Sequence, residues 1–93
     1  MRTIEPTTAF RKDVKREKKG VLGTRLDRLL FEIIRMLAAD IKLPGRCRDH
    51  AMIGDWADFR DCHIRPDLVL IYRKVGSHTL QLGRLGSLSE LGI

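Results

Sequence analysis

Apolar residues in the first half of the chain recur at helical spacing. Leu26 begins a series that continues at positions 29, 30, 33, 34 and 37. This series predicts the main helix, from about Thr24 to Asp40. Thr24 and Asp27 form a weak capping box at its start.

A shorter and more polar helix is predicted before it. Either Thr7 or Thr8 can cap its first turn, and Gly20 is a typical stop signal. Phe10 and Val14, four residues apart, are the apolar positions that this helix offers to a core.

The second half of the chain changes to the period of β-strands. Residues 57–64 and 79–85 alternate loosely, and residues 67–73 are nearly continuously apolar, as in a central strand. A glycine-containing turn at residues 74–78 joins the last two strands. Residues 3–5 precede a proline and can form a short edge strand. We therefore predict an α+β fold with a short N-terminal strand, two helices packed on an antiparallel sheet, and a short C-terminal turn or helix.

Arg84 conflicts with this alternation. Strict parity places it on the same side of its strand as Leu80 and Leu82. A charged side chain is unfavourable there unless the strand ends or bulges at Gly83. Such a departure from the local rule is often functional.

Length and composition limit the class of protein. Residues 1–93 suffice for a single domain with one small core. The apolar run Leu68–Tyr72 is far shorter than the roughly 20 residues that span a bilayer, and the N-terminus lacks the apolar stretch of a secretory signal. We expect a soluble cytoplasmic protein in which Cys47 and Cys62 stay reduced.

Positive charge is concentrated in the first half of the chain. Residues 1–48 contain thirteen Lys and Arg against six Asp and Glu, or +7, and residues 49–93 contain five against six, or −1, which together give the net charge of +6. A one-sided basic surface attracts phosphate polyanions or an acidic protein. A solvated helix face rich in lysine would have the same composition.

Four polar residues could carry chemistry: His50, His63, Asp67 and Arg84. Histidine exchanges protons near neutral pH, aspartate accepts a proton or orients an imidazole, and arginine binds phosphate oxygens with paired donors. Together they suit phosphodiester cleavage in which an RNA 2′-hydroxyl attacks its own phosphate, a reaction that needs a base, an acid and a cation. Taken singly, each residue has a structural explanation, as a surface histidine, an interior histidine or a turn former.

Zinc binding is the alternative for the same region, because Cys47, His50, Cys62 and His63 are all potential ligands. Adjacent residues of a strand point to opposite faces, so Cys62 and His63 would not readily share one ion. We therefore predict neither a metal site nor a cofactor.

With these positions identified, the chain resembles the YafQ branch of the RelE-like toxins from bacterial type II toxin-antitoxin systems. The resemblance is loose through the two helices and close from His50 onward. It rests on five segments in the family's order and at nearly its spacing: Asp49-His50, Gly54-x-Trp56, residues 59–67 (FRDCHIRPD), Leu70-Ile71-Tyr72 and Arg84-x-Gly86-Ser87.

The resemblance implies a small α+β fold and ribosome-dependent, metal-independent cleavage of messenger RNA. The implied partners are a cognate antitoxin, the 70S ribosome and mRNA. His50, His63 and Asp67 fall on the family's acid-base and substrate-orienting positions, with their roles undivided, and Arg84 falls on its phosphate-stabilising position. In this interpretation, basic residues would bind RNA phosphates of the ribosome or message. They are Lys12, Lys15, Arg16, Lys18, Lys19, Arg60 and Arg65.

Leu88 departs from the family pattern, which usually has a histidine here that is thought to transfer a proton. Leucine cannot do so, and loss of a positioned acid or base commonly lowers the rate by about 10²- to 10⁴-fold. We therefore expect an impaired nuclease. The intact remainder of the site favours a deliberate or selected change over gradual decay, and Asp61 or Arg65 is an alternative charged residue of the site.

Two further functions are open to the sequence. A non-catalytic module could keep the toxin fold and bind antitoxin or ribosome without cutting RNA. An RNA-binding domain unrelated to toxins would need exposed aromatic residues for base stacking, and the chain has five aromatic residues in all, several of them needed for the core. The segment 59–67 also argues against that function.

Overall fold

The computed structural model describes residues 1–93 and contains five strands and three helices. None of the helices has the length and apolar character needed to cross a bilayer. The predicted α+β class is confirmed. The strands are β1 (Thr3–Pro6), β2 (His50–Ala51), β3 (Arg60–Arg65), β4 (Leu68–Val75) and β5 (Thr79–Gly86). The helices are α1 (Thr8–Lys18), α2 (Arg25–Ala38) and α3 (Leu88–Leu91), and short 3₁₀ turns at Gly45–Cys47 and Gly54–Trp56 flank β2.

The five strands form one mixed sheet in the order β1-β5-β4-β3-β2. Strands β2 to β5 are antiparallel neighbours, whereas β1 pairs with β5 in parallel. The prediction of an antiparallel sheet was therefore wrong for β1, because the long connection through α1 and α2 lets the edge strand run parallel to β5. Strand β2 was not predicted, since two residues are too few to show alternation.

The two long helices begin in different ways. The Thr7 hydroxyl oxygen accepts a hydrogen bond from the Phe10 amide at 3.1 Å, so Thr7 is the N-cap of α1. The predicted capping box at Thr24 does not form, because Thr24 already has helical dihedral angles and its side chain makes no capping bond. The predicted apolar stripe of α1 was also incomplete, since Asp13 is buried and Val14 only half-buried.

The core lies between the helices and one face of the sheet. Its fifteen buried residues come from α1, α2, the segment before β2 and the strands β3, β4 and β5. They are Phe10, Leu26, Leu30, Ile33, Leu37, Ala38, Leu43, Cys47, Cys62, Leu68, Leu70, Tyr72, Leu80, Leu82 and Leu85. The opposite face of the sheet, which we call the open face, carries the polar residues described below together with the buried Val69 and Ile71.

A β-bulge in β5 resolves the conflict at Arg84. The pairing of β4 with β5 shifts by one residue between Ile71 and Tyr72, and Gly83 is the extra residue. Because of this shift, Arg84 lies opposite Ile71 on the open face, while Leu85 joins the core. Of the two explanations that the sequence left open, a strand end or a bulge at Gly83, the structure shows the bulge.

Candidate active site on the open face

Two rows of residues cross the open face of the sheet. Residues that pair across neighbouring strands share a face, and neighbouring strands are about 4.8 Å apart. The first row contains His50, Asp61, Ile71 and Arg84, and the second contains His63, Val69 and Gly86. The backbones of Asp61 and Arg84 are therefore separated by two strand spacings, or roughly 10 Å. Three of the four predicted site residues lie on this face.

His50 lies between two hydrogen-bond acceptors. Its Nδ1 is 2.7 Å from the Arg48 carbonyl oxygen, and its Nε2 is 3.2 Å from Asp61 Oδ2. A neutral imidazole has one N–H donor and can satisfy only one of these acceptors. An additional proton, either on the imidazole or on the Asp61 carboxyl, satisfies both contacts. The 3.2 Å contact between His50 Nε2 and Asp61 Oδ2 is therefore a hydrogen bond only when one of these two atoms carries a proton.

Asp61 is the buried member of this pair. It is 6% exposed, and its Oδ1 has no hydrogen-bond partner. Burial raises the pKa of the Asp61 carboxyl, and the neighbouring His50 and His63 offset only part of that effect. A carboxyl group in this environment can carry a proton closer to neutral pH than an exposed aspartate does.

A cleft of about 610 Å³ opens beside His50 and Asp61. Trp56 packs edge-on against Phe59, with ring centroids 5.1 Å apart, and this pair stiffens one wall. The cleft is also lined by residues 51–53, Asp55, Gly92 and Ile93. Gly92 has a φ of 69°, which turns the chain after α3 so that the Ile93 amide bonds to the Leu88 carbonyl at 3.1 Å.

His63 lines a neighbouring groove of about 390 Å³. Its Nδ1 lies 3.2 Å from the Pro66 carbonyl oxygen, a contact that orients the ring when Nδ1 carries the proton. The groove is otherwise lined by Arg46, Arg48, Ile64, Arg65 and Pro66. We call it the arginine groove.

Arg84 is held by the carboxylate of Asp13. Its Nε lies 2.7 Å from Asp13 Oδ2 and its Nη2 lies 3.2 Å from Asp13 Oδ1, whereas Nη1 makes no hydrogen bond within the chain. The side chain of Arg84 is 32% exposed. One end of the guanidinium is therefore fixed, and the other is free to meet an oxyanion.

Asp13 replaces a missing strand partner at the edge of the sheet. Strand β1 pairs with β5 only as far as Leu82, and beyond this point the Leu85 amide donates to Asp13 Oδ2 at 2.9 Å. Arg16 donates to the Leu85 carbonyl at 2.8 Å and to Asp13 at 2.7 Å. Burial alone would raise the pKa of Asp13, but the hydrogen bonds from Arg84, Leu85 and Arg16 lower it below its usual value.

Leu88 is the first residue of α3 and is 44% exposed. Ser87 caps this short helix in a reciprocal pair of bonds with Glu90, at 3.0 and 2.8 Å. Two residues of chain span at most about 7 Å, so Leu88 lies within that distance of Gly86 and the second row of the open face. The leucine fills no core position there.

The other predicted residues lie outside this face. Asp67 is exposed in the turn between β3 and β4, where it lines a separate cavity with Arg16, Ser87 and Glu90. Among the predicted phosphate-binding residues, Arg60 pairs with Asp49 at 3.3 Å. Arg16 is engaged as described above, and Lys18 pairs with Asp27 at 3.2 Å. The exposed remainder is Lys12, Lys15, Lys19 and Arg65.

Both cysteines are buried and unpaired on the core side of β3. Burial raises the pKa of each thiol, so neither is a reactive thiolate. No three His, Cys, Asp or Glu side chains gather closely enough to hold a metal ion.

The family model for YafQ, a bacterial toxin of type II toxin-antitoxin systems, matches residues 2–92. The chain belongs to the YafQ toxin family. A YafQ-type protein of Haemophilus influenzae is 50% identical over 61 residues, a match that covers 66% of this chain and 56% of that protein's length. The mRNA interferase toxin YafQ of Escherichia coli K12 is 31% identical over 90 residues, covering 97% of this chain and 95% of that protein.

Solved YafQ-family structures have the same fold. A copper-bound mutant toxin from Helicobacter pylori aligns with a TM-score of 0.84 at 39% identity, covering 98% of this chain and 99% of that one. The toxin in the E. coli DinJ–YafQ complex aligns with a TM-score of 0.80 at 31% identity, covering 98% of each chain. The resemblance found from the sequence motifs is confirmed, as is the fold that it implied.

Three residues beside the predicted site residues were not singled out from the sequence: Asp13, which holds Arg84, and Arg46 and Arg48, which line the groove with His63. A signal existed for Asp13, because it follows Phe10 by three residues and so lies on the apolar side of α1. Arg46 and Arg48 gave no such signal within a loop. Asp61, considered in the sequence only as an alternative charged residue, is the one that pairs with His50.

Proposed function

We propose that this chain is an mRNA endoribonuclease toxin of the YafQ type that cuts RNA without a metal and is weakened by Leu88. The support from relatives is that the E. coli family member is named an mRNA interferase. The observation that carries the proposal is the pair of rows on the open face, which brings His50, His63 and Arg84 together from three different strands.

The reaction is an internal transfer at phosphorus. A base removes the proton of the RNA 2′-hydroxyl, the oxygen attacks the adjacent phosphate, and an acid protonates the departing 5′ oxygen, leaving a 2′,3′-cyclic phosphate and a 5′-hydroxyl. The free Nη1 of Arg84 stabilises the negative charge that develops on the phosphate. His50, with its proton shared with Asp61, and His63 are the candidates for acid and base. Asp67, on a separate cavity, orients the substrate strand rather than exchanging protons.

Leu88 removes a third proton-transfer group from this arrangement. Its side chain is exposed beside the second row, so a histidine fits there without disturbing the core. Loss of such a group lowers the rate by about 10²- to 10⁴-fold. We therefore propose that the chain retains binding and a small residue of cleavage.

The partners follow from the family and the charge. A cognate antitoxin neutralises the toxin, as a complex with DinJ is known for the E. coli relative. The exposed lysines on α1 and at its C-cap, Lys12, Lys15 and Lys19, meet ribosomal RNA phosphates, and the 70S ribosome presents the mRNA. The site of action is the bacterial cytoplasm.

Expression of this sequence beside its Leu88→His variant tests this proposal in a bacterial host without antitoxin. Growth and the 5′ ends of messenger RNA are followed in both cultures. We expect growth arrest and new mRNA ends with the histidine variant, at a level about 10²- to 10⁴-fold above the leucine protein. Leu88→Gln is the matched control, since glutamine is polar but does not exchange protons.

A non-catalytic function is the competing proposal, and the observation that favours it is the leucine itself. A module of this kind binds antitoxin or ribosome without cutting RNA. Its signature in the same experiment is intact mRNA and normal growth with every variant, together with ribosome co-sedimentation. That outcome would reject the nuclease.

A further inference from the structure

The arginine groove is a positively charged concave surface that meets the open face at His63. Three of its six lining residues are Arg46, Arg48 and Arg65, and none of the six is acidic. A groove lined by charge of one sign concentrates the field within it and attracts counter-charge. The groove is therefore an anion site by composition.

The three arginines of the groove are not engaged by acceptors of the chain, unlike five other arginines. Arg2, Arg16, Arg60, Arg73 and Arg84 each donate a side-chain hydrogen bond to an acceptor of the chain. The side chains of Arg46, Arg48 and Arg65 donate none. Their paired N–H donors remain available for an external ligand.

Two separate turns build the groove. Arg46 and Arg48 precede β2, and Arg65 ends β3, so the antiparallel pairing of these strands brings the turns together. Arg48 has a φ of 49°, an unfavourable conformation for a residue with a side chain, and its carbonyl oxygen accepts the contact from His50 Nδ1. The backbone conformation of Arg48 thus orients the carbonyl that contacts His50, and the Arg48 side chain lines the groove.

We propose that the arginine groove binds the RNA phosphate next to the one that is cleaved. His63 lines the groove and also belongs to the second row of the open face, so an RNA strand across that face continues into it. Arginine forks bind phosphate oxygens in pairs and fix the strand without reading its bases. This inference rests on the proposed nuclease function and adds the strand's exit path to it. Continuity with the histidines favours RNA over an acidic peptide.

The test compares two triple variants that each remove three positive charges. Arg46→Gln/Arg48→Gln/Arg65→Gln empties the groove of charge, and Arg25→Gln/Arg28→Gln/Arg35→Gln is the matched control on the exposed side of α2. The probe is a single-stranded RNA of about ten nucleotides with 2′-O-methyl groups, which cannot be cleaved by internal attack. Fluorescence anisotropy gives the affinity between about 50 and 200 mM salt.

We expect the groove variant to lower the slope of log affinity against log salt by about 0.7, since the groove binds one phosphate and each phosphate contact on a single strand contributes about 0.7. The control should keep nearly the natural slope. Thermal unfolding by circular dichroism checks that both variants stay folded. Because the probe cannot be cut, RNA binding is measured independently of the nuclease. If RNA binding depends on the groove but the Leu88→His protein is inactive, the proposed nuclease function is rejected and RNA binding by the groove stands.

Three results overturn the inference. The first is an equal loss of slope in both triple variants, which would mean diffuse charge attraction. The second is the absence of measurable RNA binding by the unmutated chain at the lowest salt. The third is that a glutamate peptide of similar length binds as tightly as the RNA and that its binding is lost when the same three arginines are replaced. That result would assign the groove to an acidic protein.

Discussion

Two buried aspartates mark two regions of the sheet that handle charge in opposite ways. Asp13, at the β5 edge, is 2% exposed and accepts four hydrogen bonds, from Arg84, Arg16 and the Leu85 amide. Asp61, on β3, is 6% exposed, meets only His50, and keeps one oxygen without a partner. The pKa of Asp13 is lowered, and burial raises that of Asp61.

The comparison separates a structural charge from one held for chemistry. A buried carboxylate with all its acceptor sites filled joins a helix to a strand edge and stays ionised. A buried carboxyl with an unpaired oxygen lowers the stability of the fold when it is ionised. Beside a histidine, such a group is a candidate for proton exchange. We infer that the Asp13 region builds the fold and the Asp61 region serves the site.

Asp13→Asn should have the largest effect on this comparison. The amide cannot accept from both arginines and the Leu85 amide, so we expect the free energy of unfolding to fall by about 3 kcal/mol. Urea denaturation followed by circular dichroism measures it. Asp27→Asn is the control, because Asp27 pairs with Lys18 on the exposed side of α2 and should change stability by less than about 0.5 kcal/mol. If both variants lower the free energy of unfolding equally, the hydrogen bonds of Asp13 contribute no more to stability than an exposed ion pair.

Asp61→Asn should have a smaller effect of the opposite sign. The amide has nearly the shape of the carboxyl, removes a buried and incompletely paired charge, and can donate to His50 Nε2. We expect the free energy of unfolding at pH 7 to stay level or rise by up to about 1 kcal/mol. Asp58→Asn, at an exposed position, is the control. A loss as large as that of Asp13→Asn would contradict the division between the two regions.

The pH dependence of stability should also distinguish Asp13 from Asp61. The expected changes in the free energy of unfolding are smaller than those of the two substitutions above. The lowered pKa of Asp13 means that its contribution is present above its unfolded pKa of about 3.8 and is lost as the pH falls below that value. The raised pKa of Asp61 means the reverse, since its contribution is complete below 3.8 and declines as the pH rises above it.

Urea denaturation of the unmutated chain and of both variants from about pH 3 to pH 7 measures this difference. The penalty of Asp13→Asn should shrink below about pH 4, and the relative stability of Asp61→Asn should grow above it. Parallel profiles for the two variants would mean that the two carboxyl groups titrate alike.

Local patterns predicted the elements that local forces define. The apolar series from Leu26 gave α2 to within two residues, because a helix buries one stripe whatever it packs against. One charged residue in a strand of leucines indicated either a strand end or a bulge at Gly83, and the structure shows the bulge. The catalytic candidates His50, His63 and Arg84 followed from their chemistry and from the motifs around them, and they remain predictions until the variants are made.

The contacts that these patterns did not predict depend on pairing between segments that are distant in the sequence. Asp13 reaches Arg84 across 71 residues of sequence, and no local pattern shows that a helix side chain will complete the edge of a strand. The short β2 places His50 beside Asp61 and brings Arg48 toward Arg65, although the segment itself is too short to be predicted as a strand. Asp67 belongs to the same sequence motif as His63, yet it lies in the turn between β3 and β4 and lines a different cavity.

The sequence by itself determined which groups this protein has: the apolar periods of α2 and β4, the basic first half, and a leucine at position 88 where no proton can be transferred. Tertiary structure decided which of its charges are neutralised and which are free. Whether an arginine faces a carboxylate or an empty groove depends on strand register, and a shift of one residue moves a side chain to the other face. Arg84 and Arg48 have the same side chain, yet the fold fixes one against Asp13 and leaves the other open to a phosphate.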